Sequence, residues 1–331
     1  MRALVTGATG FIGGNLAREL LDSGYRVRAL ARRGSDCRGL RGLDLEIAWG
    51  DLLDSDSLDR ALEECDVLFH AAAAYSLWTP NPAIVYEINV GGTDRLLAAA
   101  LKRGIQRVVY TSSESTLAVN GHGRPGGEDR PAALSDLAGH YKRSKLLAEE
   151  VALQFHRKGL PVVVVNPTTP VGAGDVRPTP TGQFVLDFIN GKMPAFVDTG
   201  LNVVDVADVA KGHRLAMERG RAGERYLLGN RNMTFREILC TLAEMVGRPA
   251  PRWRIPLRLA LAAAHVDELL SSRITGKPPR VPLAGVRAAH KYRHFDCSKS
   301  VRELGMPQTP VEEALSRAVK WFRENGYARE A

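Results

Sequence analysis

The side chains best suited to chemistry in this sequence are a tyrosine, a lysine and a row of hydroxyls. Tyr141 and Lys145 are four residues apart, a spacing that places both on one face of a helix. A phenol with an ordinary pKa of about 10 is a poor acid–base group at neutral pH unless a cation stabilises its phenolate, and Lys145 could supply that charge. The hydroxyls are those of Thr111, Ser112 and Ser113, at the end of a predicted strand. The competing interpretation is a surface tyrosine one turn from a lysine.

A glycine-rich segment stands between the first predicted strand and the first predicted helix. Gly7 would make the tight turn, Gly10 would let the backbone approach a pyrophosphate, and Gly13 would let helix and strand pack closely. Phe11 and Ile12 open a helix whose N-terminal N–H groups attract phosphate. The segment therefore predicts a dinucleotide site. The alternative is a glycine-rich turn that binds no ligand.

The end of the second predicted strand bears on which dinucleotide is bound. An acidic residue about 20 positions after the glycines would grip the ribose 2′-hydroxyl of NAD, but Ala31, Arg32 and Arg33 stand there instead. A guanidinium matches a 2′-phosphate bidentately. The pair Arg32 and Arg33 therefore favours NADP(H), with NAD(H) as the second choice and a solvated basic loop as the non-functional alternative.

The pattern of apolar runs predicts the elements that position these residues. Short β-branched runs alternate with helical patterns, which is typical of a parallel sheet covered by helices on both faces. The predicted strands are Arg2–Thr6, Arg26–Ala31, Asp44–Trp49, Val67–Ala71, Arg107–Thr111 and Pro161–Val165. The predicted helices are Phe11–Ser23, Ser57–Glu64, Ile84–Arg103 and Gly139–Arg157. The fold class is α/β, with a doubly wound parallel sheet.

A proline- and glycine-rich stretch from Asn166 to Gly182 predicts that the chain leaves this sheet. We therefore expect a nucleotide-binding domain over residues 1–166 and a smaller, interleaved substrate-binding region over residues 167–331. A strand and a helix within 202–218 and a strand at Glu224–Leu228 predict a return to the main sheet at about 202–228.

The segment TGATGFIG, the strand-end hydroxyls and the YxxxK spacing occur in an order found in one known family. On these motifs the chain resembles the extended short-chain dehydrogenases/reductases. The resemblance implies a Rossmann-type fold, Ser113, Tyr141 and Lys145 as catalytic residues, and a nicotinamide dinucleotide cofactor. In this set Ser113 would hold the substrate oxygen, with Ser112 as the alternative register. It also implies cofactor contacts from a set of strand-end residues, namely Asp51, Leu52, Ala71, Ala72, Ala73, Thr111, Pro167 and Thr168, in addition to Tyr141, Lys145 and the glycine segment. His70, after an apolar strand, is interpreted as a core histidine with satisfied hydrogen bonds.

Residues next to Ser113 narrow the chemistry that the resemblance implies. Glu114 and Ser115 stand where sugar 4,6-dehydratases of the family carry an Asp-Glu pair, so dehydration is disfavoured. The stretches 139–145, 166–172 and 177–182 resemble the bacterial hopanoid-associated sugar epimerase group, whose members also resemble dihydroflavonol reductases. Three functions stay open: an epimerase acting on a sugar or on the polar side chain of a hopanoid, a net NADPH-dependent ketone reductase, and a non-catalytic nucleotide-bound regulator or membrane adaptor.

The charge of the chain indicates an anionic partner. Its 331 residues carry 45 Lys+Arg and 37 Asp+Glu, a net charge of +8. Residues 251–331 hold 15 basic and 8 acidic side chains, hence +7, around a mostly apolar run at Leu259–Val266. This region is predicted either to be a core helix with a solvated basic rim, to meet a phosphorylated or nucleotide-bearing substrate, or to make peripheral contact with a membrane. Nucleic acid is disfavoured because no stacking aromatics interleave with the charges.

The remaining expectations concern location and assembly. The four cysteines show no CxxC pair or metal-ligand spacing, so no metal is expected. The first residues lead directly into a strand without a secretory pattern, which favours a cytoplasmic location, with the inner face of the membrane as the alternative. A small-molecule or lipid-linked substrate is the expected partner, and a homodimer is left open.

Overall fold

Seven parallel strands form the central sheet in the computed structural model of the chain, which describes residues 1–76, 78–119, 125–279, 282–289 and 291–328. The strands are β1 (Arg2–Thr6), β2 (Arg26–Ala31), β3 (Glu46–Trp49), β4 (Val67–His70), β5 (Arg107–Thr111), β6 (Val162–Pro167), β7 (Thr169–Val171), β8 (Ala195–Phe196), β9 (Gly200–Asp205), β10 (Arg225–Leu228), β11 (Arg231–Thr234) and β12 (Trp253–Arg254). The order across the central sheet is β3-β2-β1-β4-β5-β6-β10.

The strand order reverses at β1, which pairs with β2 on one side and with β4 on the other. Thr6, the last residue of β1, is in register with Leu30 and His70. In sheets of this kind, ligands bind in the crevice outside the carboxyl ends of the strands at the reversal point. The sheet is therefore of the Rossmann type, and the fold class predicted from the sequence is confirmed.

Helices cover both faces of the sheet. They are α1 (Phe11–Asp22), α2 (Ser55–Ala61), α3 (Pro82–Tyr86), α4 (Gly92–Lys102), α5 (His140–Arg157), α6 (Pro180–Ile189), α7 (Val206–Arg219), α8 (Phe235–Val246), α9 (Leu257–Leu270), α10 (Leu283–Ala288), α11 (Ser298–Leu304) and α12 (Val311–Glu324). Leu16 and Leu20 of α1 and Val209 of α7 pack on one face of the sheet. Residues of α2, α4 and α5 form a second core on the other face. This arrangement explains the almost continuous apolar runs in the strands.

The helix predicted over Ile84–Arg103 is interrupted, which the sequence did not indicate. A π-helical turn at Glu87–Gly91 separates α3 from α4. Asn89 in that turn accepts a hydrogen bond from Ala74 N (2.7 Å) and donates one to Ser144 Oγ (2.8 Å). The π-helical turn thus links the loop after β4 to α5. Such turns are common near functional sites.

Smaller differences lie at the element ends. α2 begins at Ser55 rather than Ser57, because the Asp54 side chain accepts from the backbone N–H groups of Asp56 and Ser57. The third strand begins at Glu46 rather than Asp44, while β6 runs on to Pro167.

The later part of the chain forms a smaller layer beside the carboxyl ends of the central strands. β9 pairs with β7 in parallel and with β11 in antiparallel register. α6, α8 and α12 share a separate apolar core, and α9 and α10 pack on each other. β10 pairs with β6, so the chain does come back to the central sheet. A division into domains near residue 166 stays a prediction.

None of the helices in the described residues is long and apolar enough to cross a membrane. The four cysteines are free thiols. Within the same described residues, no three His, Cys, Asp or Glu side chains are grouped so that they could hold a metal ion.

Candidate active site

The glycine loop between β1 and α1 is shaped by close backbone contacts. Gly7 has φ +73°, and a Cβ added there would lie 2.6 Å from Ala72 N and 2.8 Å from Ala71 O. A Cβ on Gly13 would lie 2.1 Å from Gly7 O. Because Cβ atoms essentially never come closer than about 3 Å to such neighbours, only glycine fits at both positions. These two glycines hold α1 against β1 and β4.

Gly10 has a different part in the loop. A Cβ there would meet only Gly7 O, at 3.3 Å, so the space above the loop is open. Gly10 precedes α1 and provides no capping side chain, so the first N–H groups of the helix, at Phe11 and Ile12, have no side-chain acceptor. An open surface lined by unpaired helical N–H groups fits the pyrophosphate of a dinucleotide.

One cleft at the carboxyl ends of the strands brings the predicted residues together. Its cavity measures about 660 Å³, in the range of small-molecule sites. The residues predicted from the sequence that line it are Gly7, Gly10, Phe11, Ile12, Gly13, Arg32, Asp51, Leu52, Ala71, Ala72, Ala73, Thr111, Ser113, Tyr141, Lys145, Pro167 and Thr168. Arg33 lies outside this cleft, in an adjoining hollow that Arg32 also lines.

The adjoining hollow lies at the end of β2 and is rich in cations. Arg32 and Arg33 are both exposed, and neither guanidinium group has a hydrogen-bond or ion-pair partner in the described part of the chain. Arg60 and Arg177 line the same hollow. Two acidic side chains also line it, and both accept from backbone N–H groups: Asp51 from Leu53 N (2.9 Å) and Asp54 from Asp56 N (3.1 Å). The hollow can therefore bind an anion.

Ser113 and Ser112 point in different directions at the end of β5. Ser113 Oγ accepts from Ser115 N (3.1 Å) and from Ser115 Oγ (2.9 Å), which leaves its own O–H free to donate. Ser112 is buried, and its hydroxyl donates to Glu149. Both residues touch the cleft, but only Ser113 has a hydroxyl proton available to a substrate.

Tyr141 and Lys145 lie on α5 at the floor of the cleft. The Tyr141 ring packs edge-on against Tyr75, with the ring centroids 4.5 Å apart. Lys145 is buried, and its Nζ donates to Thr111 O (2.6 Å) and to Tyr110 Oη (3.0 Å). The lysine is thus fixed by β5, one turn along the helix from the tyrosine.

The charge state of this pair differs from the sequence-based expectation. Burial raises the pKa of Tyr141 above its usual value, and nearby Tyr75 and Glu114 act in the same direction. Burial lowers the pKa of Lys145 to about 7, while the negative charge of Glu149 opposes that shift. The predicted lowering of the Tyr141 pKa by Lys145 is therefore not found here, because the ammonium group is directed at Tyr110 and Thr111.

Glu149 is a residue of this site that sequence reasoning missed. It is fully buried and accepts from Thr116 Oγ1 (2.7 Å), Asn166 Nδ2 (3.1 Å) and Arg225 Nε (2.5 Å), as well as from the Ser112 hydroxyl noted above. Asn166 also donates to Ser113 O (3.1 Å). The signal was present in the sequence, because Tyr141, Lys145 and Glu149 follow one another at intervals of four residues along one face of α5.

Glu114 and Arg293 form a second feature that the sequence did not reveal. The Arg293 guanidinium contacts the Glu114 carboxylate through Nε (3.1 Å) and through a terminal nitrogen, which also donates to Glu114 O (3.0 Å). Both residues line the cleft. A partner 179 positions away cannot be found from local spacing. The one carboxylate beside Ser113 is therefore neutralised by a cation.

The outer wall of the cleft is largely apolar. It is formed by side chains and backbone of α6, β9 and α10, with Phe184, Leu201, Ala284, Gly285 and Ala288 among the lining residues. An apolar wall suits a substrate with a hydrocarbon body rather than a fully hydroxylated one.

The histidines near the sheet are structural. His70 bonds to Thr6 Oγ1 (2.8 Å) and to Thr93 Oγ1 (2.9 Å), and burial lowers its pKa to about 3. This confirms its interpretation as a satisfied core histidine. His213 bonds to Thr111 Oγ1 (2.9 Å) from beneath the sheet, so the Thr111 hydroxyl faces away from the cleft.

A family model matches most of the sheet and the cleft. The NAD dependent epimerase/dehydratase family matches residues 3–229, about two thirds of the chain. The chain belongs to the NAD dependent epimerase/dehydratase family. It is therefore an enzyme of the extended short-chain dehydrogenase/reductase type, as the motifs predicted. Epimerases, dehydratases and reductases all occur among its relatives.

Three relatives align along nearly the whole chain. A protein of Synechocystis sp. that bears the name of a dihydroflavonol 4-reductase is 45% identical over 98% of this chain and 95% of its own length. Sterol demethylase protein B of Methylococcus capsulatus is 39% identical over 98% of this chain and 99% of its own length. A 4-hydroxy-2-methyl-3-oxo-4-farnesyl-3,4-dihydroquinoline-1-oxide ketoreductase of Stigmatella aurantiaca is 36% identical over 92% of this chain and 91% of its own length.

Proposed function

We propose that this enzyme interconverts a ketone and a secondary alcohol on a lipid-like substrate, using NADP(H) as its hydride carrier. The observation that carries the proposal is the single cleft in which the glycine loop, the Ser113 hydroxyl and the Tyr141 phenol meet beneath an apolar wall. The nucleotide would lie across the glycine loop with its 2′-phosphate at Arg32 and Arg33, and the substrate would lie between Tyr141 and α10.

Three side chains of the cleft have different roles in the proposed reaction. A bound nicotinamide dinucleotide supplies or accepts the hydride at the substrate carbon. Ser113 donates its free O–H to the substrate oxygen and fixes its position. Tyr141 delivers a proton to that oxygen during reduction and takes one from it during oxidation, so reduction adds two hydrogens in total. Lys145, in its charged form, would turn its ammonium group from Tyr110 towards Tyr141 and stabilise the oxyanion left after proton donation.

The cofactor preference rests on charge at the end of β2. No acidic side chain follows Ala31 to accept a ribose 2′-hydroxyl, whereas the exposed guanidinium groups of Arg32 and Arg33 suit a 2′-phosphate. NADP(H) is therefore favoured over NAD(H).

The substrate class is inferred from the apolar wall together with the relatives. The names of two relatives refer to a sterol and to a farnesyl-bearing quinoline. A polycyclic or isoprenoid compound with one oxidisable position, such as the polar side chain of a hopanoid, fits both. Such a substrate would be lipid-borne, so we also propose a peripheral position at the inner face of the membrane.

Net transfer of hydride is favoured over its return to the same carbon. The names of two of these relatives are those of reductases. Epimerisation of a sugar or of a sugar-linked hopanoid is the second candidate, supported by the likeness of residues 139–145 and 166–172 to the sugar epimerase group. A non-catalytic regulator is disfavoured, because a binding protein gains nothing from burying a lysine beside a tyrosine.

Incubation with a hopanoid- and sterol-containing lipid extract distinguishes these functions. With NADPH, a reductase oxidises the cofactor in step with a product two hydrogens heavier, whereas an epimerase leaves both cofactor and product mass unchanged. Tyr141→Phe should reduce turnover about 10²–10⁴-fold and leave the Kd for NADPH unchanged. Turnover by Tyr141→Phe at the wild-type rate would contradict the mechanism.

A further inference from the structure

We propose that the solvent-facing side of α9 docks on an anionic lipid bilayer and so brings the mouth of the cleft to the membrane surface. This proposal deepens the proposed function, on which it rests for the lipid nature of the substrate. It identifies one surface, here called the α9 outer patch, formed by Trp253, Leu259, Val266, Leu269, Leu270 and Ile274.

The first observation is that α9 is apolar on both sides. Its inner side buries Ala260 and Ala264 against Val286 of α10. The α9 outer patch is 45–77% exposed, residue by residue, although all six side chains are large and apolar. Contiguous exposed apolar surface marks a contact with protein or membrane. α9 thus takes part in a core through its inner side alone, where Leu257 and Leu261 are partly buried beside the two alanines, while its other large apolar residues face outward.

The second observation is the charge around the α9 outer patch. Arg252, Arg258 and Arg273 are exposed beside it. Arg254, on the same edge, is ion-paired to Asp198. In a two-fold dimer this patch would face itself, and its cations would be brought together. A bilayer with anionic headgroups instead offers hydrocarbon to the patch and countercharge to its rim.

The third observation is the exposed indole of Trp253. It extends from the two-residue strand β12, just before α9, and 77% of its surface is exposed. Tryptophan is the side chain that favours the boundary between headgroups and acyl chains, since its ring is apolar and its N–H is polar. Its position at one end of the α9 outer patch, with Ile274 at the other, suits a helix lying in the plane of the surface.

The fourth observation connects this surface to the site. α10 packs on the inner side of α9 through Val286, while Ala284, Gly285 and Ala288 of the same short helix line the cleft. Glu268 of α9 accepts from the backbone N–H at the start of α10, at Leu283 (3.1 Å). One pair of helices therefore separates the α9 outer patch from the mouth, so docking would place the mouth where a lipid substrate leaves the bilayer.

Vesicle flotation of the full-length protein tests the proposal. We expect wild type to float with vesicles of phosphatidylcholine and phosphatidylglycerol, to float poorly with phosphatidylcholine alone, and to be released by salt. The double variant Leu259→Glu/Ile274→Glu should lower the partition coefficient about tenfold or more, and Arg258→Glu/Arg273→Glu should abolish the preference for phosphatidylglycerol. Equal flotation of wild type and Leu259→Glu/Ile274→Glu would overturn the proposal.

Matched variants keep this test specific. Val301→Glu changes an exposed apolar residue on α11, and Arg236→Glu reverses an exposed cation on α8; both should float as wild type does. Size-exclusion chromatography with light scattering tests whether a second copy of the chain binds the patch instead. A dimer that Leu259→Glu/Ile274→Glu dissociates, without flotation of wild type, would make the α9 outer patch a self-interface and overturn membrane docking.

Membrane docking and catalysis can fail separately. The Tyr141→Phe variant changes a residue of α5 outside the α9 outer patch, so it should float like wild type even though its turnover is reduced. Flotation without any NADPH-dependent turnover by wild type would leave the docking surface in place and contradict only the proposed function.

Discussion

At the scale of single residues, the lysine of the YxxxK motif is the most informative group, because its charge is poised. Burial lowers the pKa of Lys145 to about 7, and Glu149 opposes that shift. As the pH rises through about 7, Lys145 loses the charge that, in the proposed mechanism, stabilises the Tyr141 oxyanion. We therefore expect kcat/KM for ketone reduction to fall on the alkaline side of about pH 7.

Glu149→Gln tests this assignment. Removing the negative charge should lower the pKa of Lys145 further, so the alkaline fall in kcat/KM should move to lower pH. Ser112→Ala is the control, since it deletes one hydrogen bond to Glu149 without changing charge. The pH dependence of kcat/KM, measured for both variants, tests this prediction. If kcat/KM of Glu149→Gln is lower at every pH but its alkaline fall is not shifted, Glu149 has only a structural role.

The proposed preference for NADP(H) also depends on single side chains. Arg32→Ala/Arg33→Ala should weaken NADPH binding about ten- to hundredfold and change the Kd for NADH little, because charge-assisted hydrogen bonds to the 2′-phosphate are lost. Fluorescence titration with both nucleotides measures this. Arg18→Ala, an exposed cation on α1, is the control. Equal losses for NADPH and NADH would contradict the assignment.

At the scale of elements, the loop between β1 and α1 separates a folding role from a binding role. Gly13→Ala should lower the Tm and weaken cofactor binding together, because its Cβ would overlap Gly7 O. Gly10→Ala should keep the Tm near the wild-type value, since its Cβ meets only one atom at 3.3 Å, but should obstruct the pyrophosphate. Thermal melts with and without NADPH measure both effects. A Gly10→Ala protein that binds NADPH normally would place the pyrophosphate elsewhere.

α5 shows how one helix organises the site. Its face at intervals of four residues carries Tyr141 and Lys145 into the cleft and Glu149 into the core beneath. Glu149 then ties together the ends of β5, β6 and β10 through Ser112, Asn166 and Arg225. Because Asn166 also bonds to Ser113 O, the helix fixes the register that makes Ser113, rather than Ser112, available to substrate.

At the scale of the whole molecule, the contact of Arg293 with Glu114 joins the later part of the chain to the end of β5. Arg293→Gln should leave the Glu114 carboxylate without its cation at the cleft wall and increase the KM for substrate several-fold. The Kd for NADPH should change little, because the glycine loop lies elsewhere in the cleft. Lys291→Gln, a neighbouring exposed cation, should behave as wild type.

Steady-state kinetics of Arg293→Gln, Glu114→Gln and the double variant provide the check. If the two residues act as a pair, the effects of the single changes on KM should be non-additive. Additive effects, or a loss confined to NADPH binding, would separate Arg293 from the substrate side of the cleft.

The net charge of +8 has a more specific meaning at this scale. Part of it lies at Arg32 and Arg33, which line the hollow at the end of β2. Another part flanks the α9 outer patch, whereas the charge of Arg293 is balanced by the Glu114 carboxylate. The basic side chains of residues 251–331 are therefore divided between the α9 outer patch and the cleft and do not form one basic face.

The sequence by itself determined the features that depend on neighbours in the chain. Runs of β-branched residues gave the central strands to within a few residues, and the order of the glycine loop, the strand-end hydroxyls and YxxxK gave the family and the residues that meet in the cleft. Such features are local, because hydrogen bonding in a helix or turn and the packing of a glycine loop involve residues close in sequence.

Only the tertiary structure decided what depends on distant partners. The four-residue spacing marked Glu149, but its burial and its bonds to Asn166 and Arg225 arise from strands brought together by the sheet. The pairing of Arg293 with Glu114 and the interruption of the long helix at Asn89 have the same origin. The outward face of α9 is a further case: an apolar run predicts a helix, but which of its sides is buried depends on where α10 packs, and only the folded chain determines that.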